Sequence, residues 1–135
     1  MAGELETVAN DFVHALDTLD PDRLVRDMDP DAQGVDELSR QWLRGRDELE
    51  RYVRQITGMV TDVHTTLRDV TEHVWGDTGL LTCWFEQRYT LDGAEQYISA
   101  PTTMVFRRTD GAWKLALFHS VPLGDHDVSD PGVTL

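Results

Sequence analysis

Apolar residues recur near the start of the chain at Leu5, Val8, Phe12, Leu16 and Leu19, in steps of three and four that draw one stripe down a helix. Glu4 and Glu6 fall in its first turn, where the helix dipole favours negative charge. Asp20-Pro21 reads as an N-cap followed by proline at the first helical position, which opens a short second helix through about Met28. A third helix is expected from near Asp47. Leu49, Tyr52, Val53, Ile56 and Val60 form its apolar face, Asp47 and Glu50 stand at capping-box spacing, and Glu50 faces Arg54 one turn on. Between the second and third helices, residues 29–44 are rich in Asp and Gly at their start, and Val35, Leu38 and Trp42 keep a helical spacing.

Near residue 61 the period changes from helical to alternating. Gly76-Asp77-Thr78-Gly79, Asp92-Gly93 and Asp110-Gly111 supply the positive φ angles that tight turns need, and they separate extended runs over about 63–75, 80–91, 95–108 and 112–121. Links this short force antiparallel neighbours, so this half is a four-stranded meander. Helices followed by such a meander predict an α+β fold, with a curved antiparallel sheet packed on the N-terminal helices. The chain reads as one domain over residues 1–123 with a loose tail over 124–135, where Pro131 and Gly132 stand.

Alternation also assigns faces. Leu81, Cys83, Phe85, Gln87, Tyr89 and Leu91 share the side of the second run expected to meet the helices, and Leu80, Thr82, Trp84, Glu86 and Arg88 share the other. In the last run the same reading sets Trp113, Leu115, Leu117, His119 and Val121 inward, against Lys114, Ala116, Phe118 and Ser120 outward. Trp84 and Phe118 therefore fall on the outer face. Large aromatics there point to a covering surface, a second copy of the sheet in a homodimer; isolated exposed aromatics are the alternative.

Composition narrows the partners. A globule of 135 residues buries roughly 70% of the surface its unfolded chain exposes, enough for a core. Asp and Glu number 25 against 12 Lys and Arg, a formal charge of −13, which repels phosphate backbones and anionic bilayers, so neither nucleic acid nor membrane is an expected partner. Cys83 stands alone, which excludes an internal disulfide and a thiolate zinc site. The opening residues show no basic and apolar leader, and no apolar run is long enough to span a bilayer, so a cytoplasmic location is expected. No His-x-x-x-His or His-x-His spacing occurs, nor a Gly-x-Ser-x-Gly elbow, nor a phosphate-binding or dinucleotide-binding glycine loop, so neither metal nor cofactor is expected. Asp27-Met28-Asp29-Pro30-Asp31 suggests a calcium loop, but Ala32 and Leu38 stand where an EF-hand needs Gly and Glu. His64 and His73 lie on opposite faces of the first extended run by parity.

The closing segment, Asp110-Gly111-Ala112-Trp113-Lys114-Leu115-Ala116-Leu117-Phe118-His119-Ser120 followed by Val121-Pro122, resembles the last strand of the nuclear transport factor 2-like superfamily, specifically its SnoaL-like branch. Thr103-Met104-Val105-Phe106-Arg107 is similar to the penultimate strand, and Arg44-Gly45-Arg46-Asp47 to the entry of the third helix. The resemblance covers most of residues 5–122 and implies a cone-shaped α+β barrel, open at one end and dimeric through its sheet. It includes ketosteroid isomerases, polyketide cyclases, dehydratases and epoxide hydrolases beside non-catalytic modules, so fold does not decide function. Particular sites transfer poorly. His14 stands on the first helix where the steroid isomerases carry a Tyr, the aspartate pair and arginine of the epoxide hydrolases have no counterpart, and His64 with His119 only echo a two-histidine dehydratase site.

Two residues are the candidate catalytic groups. His119, on a strand face read as inward and apolar, is either a general base kept neutral by burial or a core histidine satisfied by a neighbour. Asp36, with Glu37 beside it, is placed by the resemblance near the pocket mouth; it is either a proton carrier or a solvated, helix-capping acid, and Arg40 is a possible partner. Trp42, Tyr52, Phe85, Gln87 and Tyr89 are the expected lining of an apolar pocket for a small hydrophobic or aromatic molecule. Cys83, within an apolar set, reads as an inert buried thiol. Two functions stand side by side: a small-molecule domain performing metal-free proton transfer (isomerisation, cyclisation or dehydration), and a non-catalytic dimeric module with a vestigial pocket.

Overall fold

A computed structural model describes residues 3–124. Helices α1 (Glu4–Asp17) and α2 (Pro21–Arg26) precede strands β1 (Met28–Asp36) and β2 (Leu43–Arg44), then come helix α3 (Arg46–Thr57) and strands β3 (Val60–Trp75), β4 (Thr78–Leu91), β5 (Ala94–Thr109) and β6 (Ala112–Ser120). The strands form one six-stranded sheet in the order β2-β1-β6-β5-β4-β3. The meander expected from the turn signals is β3 to β6, antiparallel throughout. Gly76, Gly93 and Gly111 take positive φ at its turns, as do Asp92 and Asp110. The fold is the expected α+β type, a curved sheet with N-terminal helices. The loose tail expected over 124–135 falls, except for Gly124, outside the described residues.

The stretch between α2 and α3 departs from expectation. In place of a helix through Val35, Leu38 and Trp42, residues 28–36 form β1, which runs parallel to β6 and antiparallel to the short β2. Met28 and Ala32 are buried in a third core cluster with Leu43 and Leu49, so a period near two, broken by a register shift, wins over the helical spacing. The partner that stabilises β1 lies at the far end of the chain, which no local pattern reports.

Helix termini show the same dependence on distant partners. Asp20 caps α2 as expected, accepting from the Arg23 N–H at 3.2 Å with Pro21 behind it. Helix α1 has no side-chain cap of its own. Glu72 of β3 supplies one, accepting from the N–H groups of Leu5 at 3.3 Å and Glu6 at 2.8 Å. Close approach of α1 to the sheet also requires Gly79, where a Cβ would lie 2.7 Å from Leu5 Cδ1. The capping box expected at Asp47 and Glu50 does not form: Gly45 is the N-cap of α3, and Glu50 pairs with Arg54 at 2.9 Å.

Three bulges interrupt the strands of the meander. β3 is bulged between Thr61 and His64 and between Arg68 and Thr71, where Asp62 and Asp69 take φ of 52° and 56°. Because the second bulge shifts the parity, His64 and His73 pair with Arg88 and Leu80 and share the outer face, contrary to the opposite faces read from the sequence. The third bulge lies in β6 and decides the site.

Candidate functional site

Phe106 pairs with Leu115 while Val105 pairs with Leu117, so Ala116 is an extra residue in β6. Every side chain beyond it exchanges faces. Trp113 and Leu115 remain inward, but Phe118 and Ser120 turn inward after the bulge while Leu117 and His119 turn outward. Phe118 packs 5.4 Å from Phe12 and 5.6 Å from Phe85, ring centre to ring centre. It therefore belongs to the interior and not to the outer face to which strict alternation assigned it. His119 is exposed and stacks on Trp42 with centroids 5.7 Å apart, and the Arg44 guanidinium lies 5.7 Å from the same indole. Trp42 is 43% exposed while Leu43 beside it is buried. Neither His119 nor Trp42 lines the interior cavity.

That cavity encloses about 120 Å³ between the helices and the concave face of the sheet. Phe12 and Leu16 of α1, Leu49, Val53 and Ile56 of α3, and Phe85, Ile98 and Phe118 of the sheet make its walls apolar. The polar groups are few. Asp36, Glu37, Tyr52, Gln87, Tyr89 and Ser120 are among them, and among the described residues no Lys, Arg or His lines it. Four of the five expected lining residues therefore other than Trp42, namely Tyr52, Phe85, Gln87 and Tyr89, come together with Asp36 around one space.

Two tyrosine–carboxylate pairs organise this space. Tyr52, on the inward face of α3, donates its hydroxyl to Asp36 Oδ1 at 2.6 Å. The same oxygen accepts from the backbone N–H groups of Leu38 at 3.1 Å and Ser39 at 2.8 Å, in the turn that ends β1. Asp36 Oδ1 is thus saturated, and Oδ2 receives no hydrogen bond from the described residues. Tyr89, buried on β4, donates to Glu37 Oε2 at 2.9 Å. Burial first, and then the Asp36 charge, push the Tyr52 phenol well above its ordinary value. Burial followed by the bond to Glu37 does the same for Tyr89. Both phenols stay protonated and act as donors. Arg40, the partner weighed for Asp36, instead donates from Nε to the Glu37 backbone carbonyl at 3.2 Å.

Elsewhere the polar groups are committed to structure. Gln87 donates to Thr65 Oγ1 at 3.0 Å, and Thr65 Oγ1 donates to Asp17 Oδ1 at 2.7 Å, tying the end of α1 to the sheet. Ser120 Oγ and Thr102 Oγ1 share a bond of 2.7 Å. The buried Cys83 thiol is pushed up to about 11 by desolvation, which keeps it unreactive at neutral pH. Among the described residues no three His, Cys, Asp or Glu side chains gather as a metal site would require, and no helix is long and apolar enough to cross a membrane. Sequence reasoning passed over the Tyr89–Glu37 pair, which spans residues far apart in the chain, and the inward turn of Phe118.

The family model of the SnoaL-like domain matches residues 5–123. No curated protein matches the chain. Among solved structures, a proposed dehydratase of the nuclear transport factor 2-like family from Streptomyces avermitilis is 24% identical, with a TM-score of 0.81 over 89% of this chain and 94% of that one. A ketosteroid isomerase-like protein from Erwinia carotovora atroseptica is 17% identical, with a TM-score of 0.75 over 88% and 93%. A proposed calcium/calmodulin dependent protein kinase II association domain from Xanthomonas campestris is 20% identical, with a TM-score of 0.79 over 93% and 91%. At these identities the likenesses establish the fold and leave chemistry to the site. With the family model matched from the first helix to the last strand, the chain belongs to the SnoaL-like domain family.

Proposed function

We propose that this SnoaL-like domain binds a small molecule with an apolar body in the cavity, and that Asp36 is the group positioned to take a proton from it. The observation that carries the reading is the divided state of the Asp36 carboxylate. One oxygen is held by three donors, and the other receives no hydrogen bond from the described residues, on a carboxylate that lines a largely apolar space, so a lone pair is available to accept a proton. Isomerisation, cyclisation and dehydration share that first step, and proteins of this fold are named for two of these chemistries. The hydroxyls of Tyr52 and Tyr89 already donate to carboxylates, so neither is available as a preformed donor to a substrate oxyanion. His119 stands outside the cavity and has no part in this reading.

Size restricts the ligand. The cavity holds about 120 Å³, whereas pockets for drug-sized molecules run from about 300 Å³ upward, and an engineered apolar cavity of about 150 Å³ takes benzene. Single-ring molecules fit the space, and steroids exceed it. A thermal-shift and NMR screen with single-ring ketones is expected to detect binding, with proton exchange at the carbon next to the carbonyl as the readout of base chemistry. Asp36→Asn is expected to abolish that exchange and His119→Ala to leave it within about twofold. No binding by any single-ring probe at saturating concentration overturns the cavity reading, and unchanged exchange in Asp36→Asn removes the aspartate from the chemistry. An open cavity favours this over the vestigial-pocket module.

We also place a second copy of the chain against the outer sheet face. Trp84 lies there beneath the Arg68 guanidinium at 5.5 Å, and Tyr97, on the same face, is 60% exposed.

A further inference from the structure

We propose that the cavity selects molecules carrying a positive charge at one end, small ring-bearing ammonium compounds in particular, over neutral and anionic molecules of the same shape. The inference rests on the cavity being a binding site and deepens that reading by naming the class of its ligand.

Two observations of different kinds meet here. The first is the cavity itself, whose apolar walls suit one ring. The second is the charge at its polar end. Asp36 and Glu37 are adjacent, half-buried and part of the lining. Among the described residues neither carboxylate forms an ion pair: every salt bridge belongs to other acids. Among the described residues no cationic side chain lines the cavity. Partial burial withdraws water from these two carboxylates, so their charge is less screened than at the open surface. Tyrosine hydroxyls orient these two but leave their charge uncompensated. Asp36 Oδ2 and Glu37 Oε1 receive no hydrogen bond from the described residues, so each has an oxygen available to an N–H donor. A ring seated among Leu49, Phe85 and Ile98 would carry a one-carbon ammonium arm toward those oxygens, where charge and hydrogen bond act together. A carboxylate on the same arm would meet two like charges.

Benzylamine, benzyl alcohol and benzoate share a ring and differ in charge at neutral pH, so their dissociation constants for the full chain test the proposal directly. Benzylamine is expected to bind at least tenfold more tightly than benzyl alcohol, and benzoate at least tenfold more weakly. The net charge of −13 attracts amines to the whole surface, so NMR contacts between ring protons and the methyl groups of Leu49 and Ile98 must accompany the tight binding. Glu37→Gln is expected to narrow the amine-to-alcohol ratio at least threefold. Equal affinities for alcohol and amine overturn the charge selectivity while leaving the cavity reading intact. Amine binding without those methyl contacts, or an unchanged ratio in Glu37→Gln, also overturns it. Failure of all three compounds to bind overturns the cavity reading beneath it.

Discussion

Tyr52 and Tyr89 define the site at the scale of single residues, and their titration exposes the physics that holds it. Each folded phenol is raised above the ordinary value of 10.0 by burial and by a carboxylate partner. The unfolded chain releases these protons near pH 10 while the folded chain keeps them. Above that pH the folded state binds more protons, and stability falls as pH rises, by up to about 1.4 kcal/mol per pH unit for each phenol. Well below pH 10 both states keep these protons and the two contribute no slope. Urea unfolding between pH 8 and 11 is expected to show this fall, and the Tyr52→Phe, Tyr89→Phe double variant is expected to lose most of it; an identical slope in the variant would remove the two phenols as its source. Tyr52 and Asp36 were individually visible in the sequence, one as an expected lining residue on the third helix and the other as a candidate proton carrier. Their pairing was not, because a bond between an inter-element turn and a helix face exists only once β1 is in the sheet.

Among elements, α1 shows how a sequence pattern can be right about a helix and silent about its anchor. The apolar stripe is sufficient to specify α1, yet its free N–H groups are satisfied by Glu72, far along the chain. Glu72→Ala is expected to destabilise the fold by about 1 kcal/mol, the usual cost of a lost N-cap, with amide exchange of Leu5 and Glu6 quickened; unaltered exchange at those amides would show that the cap is dispensable. β6 shows the opposite case. Alternation placed its first half correctly through Leu115, and the unannounced insertion of Ala116 reversed the remainder. Ala carries no turn or left-handed preference, so nothing in its identity marks a bulge. Asp62 and Asp69 at least belong to a type that tolerates positive φ.

For the whole molecule, the bulge divides inside from outside. Phe118 becomes part of the cavity and Trp84 stays on the outer face, so the proposed dimer surface rests on Trp84 without Phe118. Trp84→Glu is expected to convert a dimer to a monomer in sedimentation velocity, with little loss of fold because the residue is not in the core clusters; a wild-type monomer, or a dimer that survives the substitution, refutes that surface. Gly79 contributes at the same scale, since its missing side chain lets Leu5 of α1 lie directly against the sheet.

Local physics settled what repeats within a few residues: the stripe of α1, the Asp20-Pro21 start of α2, the three tight turns and the meander they require. These depend on periods and dihedral preferences that neighbouring residues carry themselves. The tertiary structure decided β1, the faces of β6 beyond Ala116, the cap on α1 and the pairing of Asp36 with Tyr52 and Glu37 with Tyr89. Each of those joins groups distant in the chain, whose free energy is gained only when the whole sheet has closed around them.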